Sequence, residues 1–319
     1  MTYNTISQPS PDDYDELLEV WEASVRSTHH FLTEENITFY KPLIRNQYFA
    51  TVELFIVRGE NDKIIAFMGL NNELIEMLFV HPSEQGKGYG KLLMDFAVKK
   101  KRFSKVDVNE QNEMALGFYL KQGFDVVGRD ATDSLGNPFP ILHLEKIPSF
   151  AKRLSVRFHM DDIQSVLYII KYNEQRKEEL YRLIYHKETN ISYQALWICT
   201  HLPASEKEWL QTKQDELTHE ALLCPHSGKR RILLQLLEKL TYTGSVPVDL
   251  FDFCLERMIS PKEPPGIQSL CIKIAYKLCL CAPDLTRELM MMMEMVREEV
   301  DSPAVHSSIR GVMKKIRKT

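Results

Sequence analysis

The chain has 319 residues, of which 44% are hydrophobic and 26% charged, with a formal net charge of −4. This length favours two domains, at roughly 100 to 200 residues per domain, and the composition excludes disordered, collagen-like and fibrous proteins. No apolar run approaches the ~18 residues of a membrane helix, and the first residues lack the basic and then apolar order of a signal peptide. We therefore expect a cytoplasmic protein with no membrane segment.

The first half of the chain alternates helical and strand signals. Ser10 and Pro11 are typical of a helix start, and the GEND run at Gly59 is typical of a hairpin turn. In chain order, the predicted elements are a helix from Ser10, a helix over 34–48, strands from Thr51, Lys63 and Leu74, a helix from Gly90, a strand around Val106, a helix over 112–122 and the strand-like runs FDVVG and FPILHL. This pattern predicts a mixed domain of the α+β class.

The second half, after Pro148, shows only helical periodicity. Four of its predicted helices repeat at intervals of 37, 37 and 38 residues, each interval containing a second helix, and they open at Gln194, Arg231, Gln268 and His306. This period resembles that of HEAT and armadillo arrays of helical hairpins. An irregular helical bundle is the alternative, and both interpretations predict stacked pairs of helices.

Charge and cysteine usage also differ between the halves. Residues 1–150 contain 15 Lys and Arg against 22 Asp and Glu, whereas the rest of the chain contains 25 against 22. Neither half has the concentrated positive charge of a nucleic-acid-binding domain, and a nucleic-acid adaptor built on the second half stays an alternative. All six cysteines lie in the second half without CxxC spacing, which indicates buried thiols in a reducing compartment rather than metal ligands.

The segment LFVHPSEQGKGYGKLL, which begins at Leu78, places a short glycine loop between an apolar strand and an amphipathic helix. Gly86, Gly88 and Gly90 lack a Cβ, so the backbone can approach a ligand closely, and the first N–H groups of the helix point at one spot. This arrangement predicts an anion site. The spacing QxxGxG differs from the dinucleotide and nucleotide-triphosphate fingerprints, which argues against both of those ligands.

Two motifs resemble the GNAT family of acetyl-CoA-dependent N-acetyltransferases. The pyrophosphate loop of that family reads [RQ]xxGx[GA], and residues 85–90, QGKGYG, match it position by position. The run from Asn112 to Phe124 reproduces the NxxAxxFYxxxGF pattern of the helix and strand that complete the family's coenzyme site. The runs THHFL, VNEQNEMALGFY and DSLGNPFPIL are similar to those of small bacterial acetyltransferases of the YjaB type. The resemblance covers residues 1–147 and implies a GNAT fold, a mixed, mostly antiparallel sheet flanked by helices.

The resemblance further implies that acetyl-CoA is the co-substrate and that no metal is needed. One strand of the family sheet splays open so that its backbone can bind the pantetheine arm, while the loop amides bind the pyrophosphate. The residues assigned to the coenzyme in this way are Leu78, Phe79, Val80, Gln85, Gly86, Lys87, Gly88, Tyr89, Gly90, Lys91 and Asn112. For the two lysines, a solvated helix start is the alternative.

The implied chemistry is the attack of a primary amine on a thioester. An alkylammonium with a pKa of about 10.4 is about 3.4 units from neutral at pH 7, so exposing its lone pair costs about 4.6 kcal/mol. We predict Glu76 as the base, because it lies two residues before Leu78 and strand alternation puts both on one face. Glu73 is the reserve, and an ordinary solvent-facing glutamate is the alternative.

Two further side chains take their roles from the resemblance. Tyr119 occupies the position of a phenol that protonates or hydrogen-bonds the departing CoA thiolate, and a packed core aromatic is the alternative. His29 matches a histidine of the YjaB-type enzymes and is predicted to line the acceptor site, with a capping or solvent role as the alternative. No cysteine lies in the first half, so we expect direct transfer without a covalent enzyme intermediate.

These observations predict a GNAT domain over 1–147, a linker over 148–158 and an all-helical, HEAT-like domain over 159–319. The predicted function is transfer of acetyl from acetyl-CoA to the primary amine of a small molecule or a protein lysine. The helical domain is expected to bind a protein partner or to present a substrate. The alternative from another class is a protein that senses acetyl-CoA without turning it over.

Overall fold

The computed structural model describes residues 5–244 and 246–317. The chain divides into two compact units. The first unit runs to Ser149 and also contains Tyr168–Glu174, and the second contains Phe150–Leu167 and the chain from Gln175 onward. The first change of unit therefore lies at residues 149–150.

A mixed sheet forms the centre of the first unit. Its strands are β1 (Ile6–Ser7), β2 (Glu53–Arg58), β3 (Ile64–Asn71), β4 (Leu74–Val80), β5 (Lys105–Asn109), β6 (Asp125–Asp130) and β7 (Ile141–Glu145). The strand order is β1-β2-β3-β4-β5-β7-β6, and neighbouring strands are antiparallel except for β4 and β5, which are parallel. The predicted mixed, mostly antiparallel sheet is confirmed.

Helices cover both faces of this sheet. They are α1 (Tyr14–Thr28), α2 (Glu34–Leu43), α3 (Phe49–Thr51), α4 (Tyr89–Phe96) and α5 (Glu113–Lys121). Because successive strand residues point to opposite faces, Ile56 and Phe67 pack with α1 and α2, whereas Phe55 and Met68 pack with α4 and α5. The first unit thus has two hydrophobic cores separated by the sheet.

Two of the predicted helices change their hydrogen-bond pattern before they end. The helix predicted over 34–48 consists of α2 and a π-helical segment, Ile44–Tyr48, and α4 continues as the π-helical segment Ala97–Lys101. Pro42 lies inside α2 and has no N–H to donate, so regular α-helical bonding is interrupted just before the first π-helical segment. Hydrophobic periodicity predicts the helices but not this detail.

The second unit is built from helices. They are α6 (Phe150–Leu154), α7 (Met160–Tyr172), whose last residues belong to the first unit, α8 (Glu174–Arg182), α9 (Thr189–Cys199), α10 (Lys207–Gln211), α11 (Gln214–Leu223), α12 (Ser227–Lys239), α13 (Val248–Ile259), α14 (Pro265–Cys279), α15 (Thr286–Glu299) and α16 (Pro303–Ile316). No described helix combines the length and the apolar composition that crossing a bilayer requires.

The helices of the second unit stack in two layers. In one layer, α12 packs between α9 and α14, and α14 packs between α12 and α16. In the other layer, α13 packs between α11 and α15, and α13 and α14 join the layers. The four predicted repeat positions at Gln194, Arg231, Gln268 and His306 all fall in the first of these layers. The structure is therefore a regular array of helix pairs.

The predicted linker and the predicted start of the helical domain both need correction. Helix α6 lies inside the predicted linker of 148–158, and its side chains Phe150 and Leu154 are fully buried. Residues 168–174 belong to the first unit, because Tyr168 and Tyr172 pack against its core. An apolar pair four residues apart is equally typical of a helix buried in an array, so periodicity could not assign these tyrosines.

The cysteines are free thiols, and all but Cys281 are buried. Burial raises the pKa of Cys199 to about 12 and that of Cys279 to about 11. Such thiols stay protonated and pack as small apolar side chains. Within the described residues, no group of three or more His, Cys, Asp or Glu side chains could hold a metal ion.

Candidate functional site

The site begins where two neighbouring strands separate. β4 and β5 pair only through Leu74 with Lys105 and Ile75 with Val106, although β4 continues to Val80. Beyond Ile75, the edge of β4 that faces β5 has no strand partner among the described residues. Its N–H and C=O groups are therefore available to an extended ligand.

The ladder between β3 and β4 shows which backbone groups face this opening. The N–H of His81 donates to the carbonyl of Ile65 at 2.8 Å, and hydrogen-bonded pairs alternate with non-hydrogen-bonded pairs along an antiparallel ladder. Phe79 is therefore bonded to β3, whereas the backbone groups of Leu78 and Val80 face the opening. The prediction that Phe79 offers backbone groups to a ligand needs correction, because the ladder already uses them.

The carbonyl of Val80 already has two donors. Ser24 Oγ donates to it at 2.8 Å and Gln85 Nε2 at 3.3 Å. Ser24 is buried on α1, so this hydrogen bond ties the end of β4 to that helix. At Val80, the N–H is the group left for a ligand. Gln85, predicted as a coenzyme contact, uses its amide to fix the loop.

A cavity of about 350 Å³ lies along this opening. Its wall combines the end of β4, the glycine loop, and one side each of α1 and α5. Of the predicted site residues, the cavity is lined by His29, Leu78, Phe79, Val80, Gln85, Gly86, Gly88, Tyr89, Gly90, Lys91, Asn112 and Tyr119. The structure thus brings residues from four separate parts of the sequence to one cleft.

The glycine loop has the conformation that its residues permit. Gly86 has φ 77° and Gly88 has φ 95°, in the left-handed region that side chains with a Cβ avoid. Gly88 is also the residue that precedes α4, so the N–H groups of the first turn have no intrahelical acceptor. These N–H groups and the helix dipole suit a diphosphate.

The two loop lysines are engaged with neighbouring carboxylates. Lys87 Nζ lies 2.9 Å from Glu84 Oε1, and Lys91 Nζ lies 2.6 Å from Asp95 Oδ2. Both side chains are exposed. Their ion pairs agree with a solvated helix start, the alternative interpretation of these residues. The predicted anion site therefore depends on the backbone N–H groups of the loop.

Helix α5 contributes Asn112 and Tyr119 to the cavity. Asn112 caps the helix, and its Oδ1 accepts from the N–H of Ala115 at 3.0 Å. The side-chain NH₂ of Asn112 is therefore the group left to donate into the cavity. Tyr119 is buried, and burial raises the pKa of its phenol well above the ordinary value of 10. The phenol stays protonated at any physiological pH and can act as a donor.

His29 follows α1 and lines the same cavity. Thr28 Oγ1 donates its one proton to the carbonyl of Ser24 at 2.9 Å, so it accepts from His29 Nδ1, which lies 2.8 Å away. This pattern assigns the proton to Nδ1 and leaves Nε2 as an acceptor. Burial, and to a smaller extent the charge of His30, lowers the pKa of His29 to about 4, so the ring is neutral at pH 7.

The two carboxylates predicted as bases do not line the cavity. Glu76 is exposed and accepts from Asn71 Nδ2 at 3.0 Å. Glu73 lies in the turn before β4 with φ 70° and binds Lys105 at 3.4 Å. The prediction for Glu76 relied on strict strand alternation. A β-bulge breaks that alternation, because Met77 pairs with Gly69 and Ile75 with Leu70, which leaves Glu76 unpaired.

Ser24 and Thr28 are site residues that the sequence prediction missed. Both line the cavity, and their hydrogen bonds position Val80 and His29. A signal was available, because these two polar residues lie four apart on α1, beside the apolar residues Trp21 and Val25 of its buried face. Polar residues at helical spacing on a core face indicate hydrogen bonds to a neighbouring element.

Comparisons with known proteins cover both parts of the chain. The family profile of the acetyltransferase (GNAT) domain matches residues 51–126, and that of the HEAT repeat domain matches residues 150–316. The chain is similar to the peptidyl-lysine N-acetyltransferase YjaB of Escherichia coli, with 36% identity over 140 residues, which are 44% of this chain and 95% of YjaB. The chain belongs to the GNAT acetyltransferase family. Because the HEAT profile spans more than half of its length, the chain also belongs to the HEAT repeat domain family.

Two solved structures each match 44% of this chain. The solution structure of apo-form YjaB from Escherichia coli is 35% identical, with a TM-score of 0.41, and the match covers 44% of this chain and 96% of that one. The crystal structure of the PaiA N-acetyltransferase from Thermoplasma acidophilum in complex with coenzyme A is 23% identical, with a TM-score of 0.36, and covers 44% and 98%. The predictions of a GNAT domain, a HEAT-like array and acyltransferase activity are confirmed, and the enzyme is an N-acetyltransferase.

Proposed function

We propose that the enzyme transfers acetyl directly from acetyl-CoA to the ε-amino group of a protein lysine. The observation that carries this proposal is that the open edge of β4 and the glycine loop line one cavity. The name of the relative, a peptidyl-lysine N-acetyltransferase, supports lysine as the acceptor. Small-molecule amines remain the alternative acceptors.

The coenzyme is held chiefly by backbone groups. The N–H groups of Gly86 and of residues 88–91 bind the pyrophosphate, because they converge at the start of α4 and no Cβ at Gly86 or Gly88 blocks the approach. The N–H of Lys87 instead donates to the carbonyl of Glu84 at 3.4 Å. The pantetheine arm, which is an extended diamide, pairs with Leu78 and with the N–H of Val80. Asn112 donates its side-chain NH₂ into the cavity. This assignment needs no metal.

Acetyl-CoA, when bound, supplies a thioester whose carbonyl carbon an amine can attack. The amine must be neutral, and no carboxylate among the predicted bases reaches the cavity. His29 accepts a hydrogen bond from the neutral amine at Nε2, and Thr28 holds the ring in the tautomer that makes this possible. With a pKa of about 4, His29 orients the amine and does not store its proton. As the C–N bond forms and the C–S bond breaks, the proton that nitrogen loses passes to solvent or to the departing thiolate, and CoA leaves as the thiol.

Tyr119 serves the departing sulfur. A CoA thiolate has a pKa near 8.5, as other thiols do, and a phenol that burial keeps protonated can donate a hydrogen bond or a proton to it. Ser24 fixes the end of β4 through the carbonyl of Val80, so it is a positioning residue. Orientation and electrostatic stabilisation by these groups provide the rate enhancement.

The test is an assay of the full chain with acetyl-CoA and lysine-containing peptides, which follows thiol release and the mass of the peptide. We expect release of CoA together with acetylation of the lysine side chain. A matched control uses the same peptide with its lysine replaced by norleucine. Transfer to polyamines or aminoglycosides but to no peptide would contradict lysine as the acceptor, while the acetyltransferase activity itself would stand.

The sensor alternative makes a different prediction in the same assay. A sensor would bind acetyl-CoA in calorimetry but release no thiol above the hydrolysis background with any amine. Absence of acetyl-CoA binding altogether would contradict both the proposal and the alternative.

A further inference from the structure

A groove with a volume of about 510 Å³ lies between α15 and α16, the last two described helices. Ile309 and Met313 of α16 contribute apolar surface to its floor, and Ile309 is almost fully buried. Four basic side chains line it, namely Arg297 from α15 and Arg310, Lys314 and Arg317 from the α16 side. None of its residues belongs to the acetyl-transfer site.

The charge of this groove is not compensated within the described chain. Arg297, Arg310, Lys314 and Arg317 form no ion pair with any described residue, and Glu294 is the one carboxylate in the groove wall. Four like charges around one groove repel each other and favour a ligand of opposite charge.

The array itself indicates the shape of that ligand. α15 packs against both α13 and α14, so a helix fills the corresponding groove one step earlier. α15 does so with Leu289, Met293 and Val296 buried, which is a stripe of residues four and three apart. The groove between α15 and α16 has the same two-layer geometry and therefore suits another helix with an apolar stripe.

We propose that the groove between α15 and α16 binds an acidic amphipathic helix of a partner protein. The apolar stripe of the helix lies on the groove floor, and its Asp and Glu side chains pair with the four basic residues. Binding buries the like charges against carboxylates and covers α15 and α16 in the way that α15 covers α13 and α14.

Nucleic acid is the competing occupant of a basic groove. A phosphate backbone would use the basic side chains but would leave the apolar floor and the helix-sized gap without a role. A second copy of this chain is the other competitor. The experiments below distinguish an acidic helix from nucleic acid and from a second copy as the occupant of the groove.

The experiment uses the full chain and a labelled synthetic peptide in fluorescence anisotropy titrations. The probe has 14 residues, the length of α15, with leucines at the spacing of Leu289, Met293 and Val296, glutamates on both flanks and alanines elsewhere. Two control peptides have the same composition in scrambled order, or lysine in place of every glutamate. We expect the full chain to bind the probe saturably and to bind neither control peptide, and we expect added salt to weaken the binding of the probe.

A matched pair of variants tests the groove. Arg310→Glu with Lys314→Glu should weaken peptide binding at least about tenfold, because two rim charges are reversed. Arg231→Glu with Lys262→Glu makes the same change in net charge at exposed positions outside the groove and should bind like the wild type. All four substituted side chains are exposed, and circular dichroism verifies that the helices persist.

Three results would overturn the proposal. The first is equal binding of the probe by both double variants, and the second is tighter binding of a duplex DNA that Arg310→Glu with Lys314→Glu abolishes. The third is a concentration-dependent dimer that the same variant dissociates, since it would assign the groove to a second copy. Acetyl transfer to a peptide lysine is expected to be unchanged in both double variants, because the groove lies outside the acetyl-transfer site. Failure of the groove to bind the acidic helix would therefore not contradict lysine as the proposed acceptor.

Discussion

At the scale of single residues, the site depends on groups whose protonation is set by burial. The pKa of Tyr119 is raised and that of His29 is lowered to about 4, in both cases mainly because burial disfavours the charged form. Both groups are consequently neutral at pH 7. Tyr119 can donate and His29 Nε2 can accept, which are the two roles that an amine and a departing thiolate require.

Replacing Tyr119 by phenylalanine removes the phenol and keeps the packing. We expect turnover to fall by about 100-fold, within the range of a lost general acid, while the affinity for acetyl-CoA changes little. Steady-state kinetics and calorimetry measure the two quantities. Tyr172→Phe, which removes a hydroxyl outside the cavity, is the matched control. Unchanged turnover in Tyr119→Phe would remove this residue from the mechanism.

The half-buried, neutral His29 predicts a pH dependence of stability. The unfolded chain takes up a proton at this residue below a pKa of about 6.5, whereas the folded chain does so only near pH 4. Since the unfolded state binds more protons in this window, stability falls as the pH drops from 6.5 to 4. Urea unfolding should show a smaller fall over this window in His29→Ala than in the wild type. If the free energy of unfolding falls equally with pH in the wild type and in His29→Ala, His29 has the same pKa in the folded and unfolded states.

At the scale of elements, the site is made by one loop and one irregular strand. We propose that the glycine loop and the start of α4 form the anion-binding end, as the motif predicts. β4 forms the other end through its separation from β5 and its bulge at Glu76. The sequence motif predicts the glycine-loop end of the site, because the positions of its glycines determine which backbone conformations the loop can adopt. The bulge has no such signature.

Substitution of Gly86 by alanine tests the loop. A Cβ at this position meets no protein atom within 4 Å, but φ is 77°, so the cost in folding is the ~1–2 kcal/mol of the left-handed region. We expect acetyl-CoA affinity to drop about tenfold or more, equivalent to ~1.4 kcal/mol.

The matched control for Gly86→Ala is Gly117→Ala, inside α5. It also meets no protein atom within 4 Å, and its φ is not positive. It should stabilise the protein by about 0.5–1 kcal/mol and leave the affinity for acetyl-CoA unchanged. Equal affinity losses in both variants would show that the loop conformation is not what binds the coenzyme.

At the scale of the whole molecule, the chain joins a catalytic unit to a helical array. We propose that the predicted GNAT domain of 1–147 is completed by residues 168–174, which return to its core through Tyr168 and Tyr172. Asn173 Nδ2 also donates to the buried carboxylate of Asp125 at 3.0 Å. The catalytic unit is therefore discontinuous in sequence.

Truncation tests this organisation. A fragment of residues 1–174 should be more stable than one of residues 1–149 by about 2 kcal/mol, because it retains two partly buried tyrosines. Thermal unfolding compares them, and calorimetry verifies that both bind acetyl-CoA. In the longer fragment, Tyr168→Ser with Tyr172→Ser should remove the difference. Equal melting temperatures of the two fragments would show that residues 168–174 do not stabilise the catalytic unit.

The sequence alone determined the two classes of structure and the repeat in the second half. It also predicted the coenzyme loop and the roles proposed for Tyr119 and His29. Each of these is carried by a local pattern, such as glycine spacing, helical periodicity or a short motif. The tertiary structure decided that Glu76 and Glu73 lie outside the cavity, that Ser24 and Thr28 belong to it, and that Tyr168 and Tyr172 pack on the first core. These facts depend on a bulge and on contacts between residues distant in sequence, which local periodicity does not encode.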